Sequence, residues 1–295
     1  MSPQSAARLQ ILAAALLFSI GGAGIKACAL TSWQVAGFRS GIAALTILLL
    51  LPASRRGWTW RSLVVGSTYA ATMVLFVLAN KLTTSANTIF LQSTAPLYVL
   101  LLGPWLLKER TRRSDLFVMA LVTAGLALFF IGSEPPVKTA PAPLHGNLLA
   151  VVSGLTWALT IMGMRWLGRE EDAGRGSAAP AVVAGNVLAL LVSLPFALPV
   201  VGAKPVDGVL IFGLGTVQIG LAYLFLTRAL RTVPAFQAMI LLLLEPALNP
   251  IWAWLIHGER PGAWPILGGI LILGATGLKT WSDSRSARDT EPPER

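Results

Sequence analysis

Cysteine occurs once in the 295 residues, as Cys28. A single thiol excludes an intrachain disulfide framework and cannot anchor a cysteine metal cluster. Histidine is nearly as scarce. His145 and His257 are the two, both at the ends of apolar runs and without ligand spacing. Charge is the third deficit: 12% of residues are Asp, Glu, Lys or Arg, against about 25% in a soluble domain. No Walker sequence or Gly-rich phosphate loop is present, so ATP does not drive the chain directly. The apolar runs hold one acidic residue near mid-depth and no histidine, which leaves no serine–histidine dyad, metal ligand set or acid pair. An enzyme is not expected, nor is a cofactor or metal.

What is abundant is apolar sequence. Hydrophobic residues make up 55% of the chain, and mean hydropathy is +0.69. Ten windows approach the roughly 20 residues needed to cross a bilayer: about 8–29, 33–51, 61–80, 85–107, 114–132, 145–166, 178–200, 206–227, 234–256 and 263–281. The "ACA" at 27–29 looks like a signal-peptidase site, but the run before it is read as the first span. The net charge of +10 reflects topology and no nucleic-acid partner. With the N-terminus in the cytoplasm, seventeen of the 23 Lys and Arg fall on the cytoplasmic side. The opposite side holds Lys26, Lys81, Lys138, Lys204 and Arg260, and Arg39 lies inside the second span. That bias places both termini inside.

The chain is also written twice. At a shift of 150 residues, "ANKLTTSANT" (79–88) meets "ALRTVPAFQA" (229–238), Pro96 meets Pro246, and "KERT" (108–111) meets "GERP" (258–261). Earlier, "LLFSIGGAGIK" (16–26) lies near "LTWALTIMGMR" (155–165) at a shift of 139. Each half then holds five spans, and an odd number makes the second half cross in the opposite sense. The expected fold is all-α: a polytopic membrane protein of ten transmembrane helices in two inverted five-helix repeats. Residues 1–143 form the first repeat, 144–281 the second, and 282–295 a polar, disordered cytoplasmic tail. Inverted repeats are a transporter signature, with the site near the midplane where the halves meet.

The motifs "ALRTVPA", "LEPALNP" and "HGERP" in the second half, with "GFRSGIAAL" (37–45) in the first, resemble the EamA type of the drug/metabolite transporter superfamily. The resemblance covers residues 8–281. It implies a secondary transporter, and most resembles bacterial inner-membrane exporters of aromatic and other hydrophobic amino acids. Export as the direction comes from the resemblance alone. Small multidrug exporters in the same superfamily carry a glutamate in the first span; this first span has no acidic residue.

The candidate site follows from "LLLLEPALNP" (241–250). Pro246 and Pro250 remove helical donors, leaving the carbonyls of Leu242 and Pro246 without partners. Such breaks belong against a cavity or packed protein. The first half repeats the device, with Gln92, Ser93, Thr94 and Tyr98 around Pro96. Glu245 and Asn249 share a helix face. Glu245, near mid-depth, is open to three roles: a coupled proton, a partner for a substrate ammonium, or a structural hydrogen bond. Arg39 either snorkels to the outer surface or attracts a substrate carboxylate. The other candidate contacts are Tyr69, Trp157, Asn186, Gln218 and Tyr223. The expected walls are the third, fourth, eighth and ninth spans, with the first and sixth contributing.

This polar inventory suits a small, partly apolar solute. A nucleotide sugar would call for several interior cations, and a channel for a continuous polar face. Of ten tryptophans, Trp33, Trp58, Trp60, Trp105, Trp264 and Trp281 lie near span ends, as aromatic belts do. Trp157, Trp252 and Trp254 lie deeper. The expected partners are an amino-acid substrate and membrane lipid, and the oligomeric state is left open, a monomer included.

Overall fold

The computed structural model describes residues 3–106, 113–131, 136–172, 178–229 and 241–289. Glu109, Arg110 and residues 230–238 of the matched repeats lie outside them. Helix occupies every expected window. The first span is α1 (Pro3–Ser19) and α2 (Gly21–Ala27), separated by a turn at Ile20. The second is α3 (Ser32–Leu50) and the third α4 (Trp60–Leu82). The fourth is α5 (Ser85–Gln92) and α6 (Ala95–Leu106). Then come α7 (Arg113–Ile131), α8 (Pro143–Asp172) and α9 (Ala178–Ala197). The eighth span is α10 (Pro205–Gly213), a π-helical stretch (Leu214–Leu221) and α11 (Ala222–Ala229). The ninth and tenth hold α12 (Leu244–His257) and α13 (Ala263–Asp289). Seven of these segments are long and apolar enough to cross a membrane; Leu116–Ile131 and Ala263–Ala275 are shorter apolar helices. Helix is what hydrocarbon demands, because it satisfies each backbone group within one segment.

The starts of three helices are written in hydroxyl residues. Thr31 and Gln34 form a reciprocal capping box at α3, Thr59 and Ser62 do so at α4, and Thr84 accepts the Asn87 N–H at α5. The prolines act differently from the sequence expectation. In the fourth span the break falls at Ser93 and Thr94, ahead of Pro96. In the ninth it falls at Leu243, ahead of Pro246. Both prolines therefore sit in the first turn of the helix that follows, where a missing N–H leaves nothing unsatisfied. Pro250 alone lies inside α12. A second correction concerns the tail: α13 runs on to Asp289, since "SDSRSARD" (282–289) contains no proline or glycine to stop it.

The repeats interlock: α4 packs against α8 and α9, α3 against α9, and α7 against α13. The α4–α9 crossing is the tightest. A Cβ on Gly185 would lie 2.4 Å from Cδ1 of Tyr69 and 2.8 Å from the Gly66 carbonyl. Close approach through small residues is how membrane helices associate. Gly185→Ala is accordingly expected to lower stability by about 1–3 kcal/mol, read as a lower midpoint in thermal unfolding in detergent.

Candidate functional site

One cavity lies between the two repeats. Phe18 of α1, Arg39 of α3, and Thr72, Met73 and Phe76 of α4 line it from the first repeat, with Gln92 at the end of α5. Trp157 of α8, Gln218 and Ile219 of the π-helical stretch, Tyr223 of α11 and Glu245 of α12 complete it from the second. The first, third, fourth, sixth, eighth and ninth spans contribute as expected. The second span does so as well, through Arg39. Phe18 and Gln92 sit beside the breaks in their spans, and Glu245 lies in the first turn of α12. A helix N-terminus carries a partial positive charge, so a carboxylate there is favourably placed.

Arg39 does not snorkel. It is 1% exposed, and its guanidinium turns into the bundle. One terminal nitrogen donates to the Met73 carbonyl at 3.2 Å, the other to Gln218 Oε1 at 3.5 Å, while Nε has no partner. Among the described residues no carboxylate lies within 4.0 Å of it. Glu245, half-buried, forms no hydrogen bond or ion pair with a described residue. A guanidinium and a carboxyl group therefore face one cavity without pairing with each other.

The remaining wall is apolar or already occupied. Phe18 meets Tyr223 edge-on at 5.2 Å, and Tyr223 meets Tyr69 at 5.6 Å. A hydroxyl seam joins α4 to α8: Thr72 donates to Thr156 at 2.9 Å and Thr160 to Thr68 at 3.1 Å. Gln92, on the wall, donates to Ser153 at 2.8 Å. Chemically the site can bind and orient a small molecule through one cation, one carboxylate, two amides and four aromatic rings.

Of the residues singled out from sequence, the cavity gathers Arg39, Gln92, Trp157, Gln218, Tyr223 and Glu245. The structure does not bring Tyr69, Ser93, Thr94, Tyr98, Asn186 or Asn249 to its wall. Tyr69 stands behind Tyr223 and accepts the Asn186 amide at 3.2 Å. Ser93 and Thr94 return their hydroxyls to the carbonyls of Ile89 and Leu91. Tyr98 reaches the Val151 carbonyl at 3.5 Å. Asn249 is buried against Gly22 of α2. Trp252 donates to Ser19 at 2.9 Å, tying α12 to the break in the first span, and Trp254 is exposed on the outside. Phe18, Met73, Phe76 and Ile219 were not legible as site residues, since an apolar side chain facing a cavity reads the same as one facing lipid. Their one available signal was proximity to a break or to a polar neighbour.

Comparison with known proteins accords with this architecture. A crystal structure described only as that of a protein is 19% identical over 95% of this chain and 98% of its own, with a TM-score of 0.61. At that identity the likeness shows the fold. No curated protein matches the chain in sequence. The family model for EamA-like transporters matches twice, over residues 6–131 and 144–280, one match to each set of five helices. The chain is a multi-pass membrane protein and belongs to the EamA-like transporter family.

Proposed function

We propose that this transporter exports amino acids with aromatic or other apolar side chains across a bacterial inner membrane, with both termini in the cytoplasm. One observation carries the reading: Arg39 and Glu245 line the same cavity and are paired neither with each other nor with another described charge. A zwitterion has the matching pair of groups. Its carboxylate meets the guanidinium and its ammonium meets Glu245, while the side chain lies among Phe18, Phe76, Trp157 and Tyr223. Such a ligand brings no net charge into the membrane interior, where an unpaired charge is unfavourable by about 2.5–3.5 kcal/mol on insertion scales. Transport proceeds by alternating access, the two repeats rocking around the cavity.

Purified protein in liposomes, given labelled tryptophan, phenylalanine, threonine and glutamate with and without a pH gradient, tests this. Saturable movement of tryptophan and phenylalanine, well above threonine and glutamate, is the expected result. Movement that ignores the gradient identifies a facilitator, and movement that follows it identifies proton coupling. If none of the four moves, the amino-acid assignment fails.

A further inference from the structure

The end of the bundle where α2 and α12 finish and α5 begins carries a polar cluster that the cavity does not use. Lys26, near the end of α2, reaches Glu259 Oε1 at 2.7 Å and the Thr83 carbonyl at 2.7 Å, and it also donates to the Thr139 carbonyl. Three oxygens thereby surround the ammonium. The second carboxylate oxygen of Glu259 accepts the Ser85 N–H at 2.9 Å, at the first residue of α5. The two side chains are only 4% and 2% exposed. That enclosure matters, because an exposed pair contributes little whereas breaking a buried one strands a charge. Lys26 belongs to the first repeat and Glu259 to the second, so the pair joins the halves.

Its placement relative to the cavity is the second observation. From Lys26, α2 leads back to the turn at Ile20, just past Phe18 of the cavity wall. From the N–H held by Glu259, α5 leads down to Gln92 of the same wall. Two short helical segments thus run from the ion pair to the cavity. Around the pair the same face is sealed by three further contacts. Lys81 donates to the Cys28 carbonyl at 2.5 Å, His257 to the Ala23 carbonyl at 2.8 Å, and the Ala29 N–H to Asp207 at 2.7 Å.

A third observation pulls the other way. Asn249 is fully buried, and neither atom of its side-chain amide has a partner among the described residues. It is wedged where α2 meets α5. A Cβ on Gly22 would lie 2.9 Å from both amide atoms and 3.0 Å from Ser85 Oγ. A buried amide left unpaired favours any rearrangement that admits water to it.

We infer that the Lys26–Glu259 pair is a latch holding this face shut, and that opening the cavity toward it requires breaking the pair and parting α2 from α5. The inference goes beyond the choice of substrate, and its test reads conformation instead of flux, so either can fail alone. Cys28 supplies the probe. It is the chain's one cysteine, lies two residues past Lys26 and is 1% exposed. Burial keeps a reagent from its thiol, so it reacts slowly while the face is closed.

The experiment measures the rate of maleimide attachment to Cys28 in the full-length protein, in nanodiscs, by mass spectrometry. Glu259→Gln and Lys26→Met should each react at least about tenfold faster than wild type, because each strands a buried charge. The double variant, Lys26→Met with Glu259→Gln, strands none, and its rate should fall well below the product of the two single effects. Single variants as slow as wild type would overturn the latch. So would a double variant whose effect is the full product, which would mean two independent packing losses.

Discussion

Arg39→Lys lowers transport of tryptophan and phenylalanine, read as kcat/KM in liposomes, by about 10- to 100-fold although the positive charge is kept. The guanidinium already divides its donors between the Met73 carbonyl and Gln218 and still presents Nε. A planar fork can hold those two and accept a carboxylate on its remaining edge. An ammonium in the same place is a point charge with three protons on a flexible stem, and it has to choose. The loss should therefore be selective. Phenethylamine, which lacks the carboxylate, should compete equally well in wild type and variant, while 3-phenylpropanoate should lose its grip. Equal loss for both analogues would mean a collapsed cavity and would remove Arg39 from substrate recognition.

Glu245→Gln should produce the mirror image. The side chain stays close to the same shape, and the first turn of α12 keeps a polar residue at its start. What disappears is the partner for an ammonium. Phenylalanine transport should drop by about 10- to 100-fold, with 3-phenylpropanoate competing as before and phenethylamine weakened. If phenylalanine transport holds but its response to a pH gradient vanishes, Glu245 carries a coupled proton and the zwitterion reading of the site is wrong. Unchanged behaviour toward both analogues and toward the gradient leaves it a structural residue.

The helices were legible because hydrocarbon imposes a length and forbids most alternatives, so ten apolar windows in 295 residues read directly. The interruptions were legible to within a turn. Pro96 and Pro246 mark them, but a proline is comfortable at the start of a helix, and the breaks fall at Ser93–Thr94 and Leu243 instead. The faces were harder. These spans are apolar all round, so no polar stripe says which side is inward. Tyr69, Asn186 and Asn249 were picked for polarity, yet they serve helix contacts. Depth alone left Arg39 open between snorkelling outward and attracting a carboxylate; that it turns inward depends on Met73 and Gln218, which lie 34 and 179 residues away. Lys26 was visible only as a charge at a span end and Glu259 only as part of the repeated "GERP" motif, since nothing in the sequence sets residue 26 beside residue 259.

The isolation of Arg39 has an electrical consequence. A fixed cation at mid-depth feels the membrane potential through whichever side has water access to the cavity. When access switches between the two faces, part of that potential shifts across the charge even though the residue hardly moves. A full elementary charge traversing 100 mV corresponds to about 2.3 kcal/mol. With Glu245 protonated, an inside-negative potential favours the empty carrier open toward the cytoplasm; with Glu245 ionised, as a bound ammonium requires, the two charges offset and the potential has little hold on the empty site. A zwitterion leaves the charge of the site as it found it, so the loaded carrier responds to voltage as the empty one does. The two reorientation steps, loaded and empty, then contribute opposite currents that cancel over a full cycle, and voltage sets the pace of turnover without setting its direction.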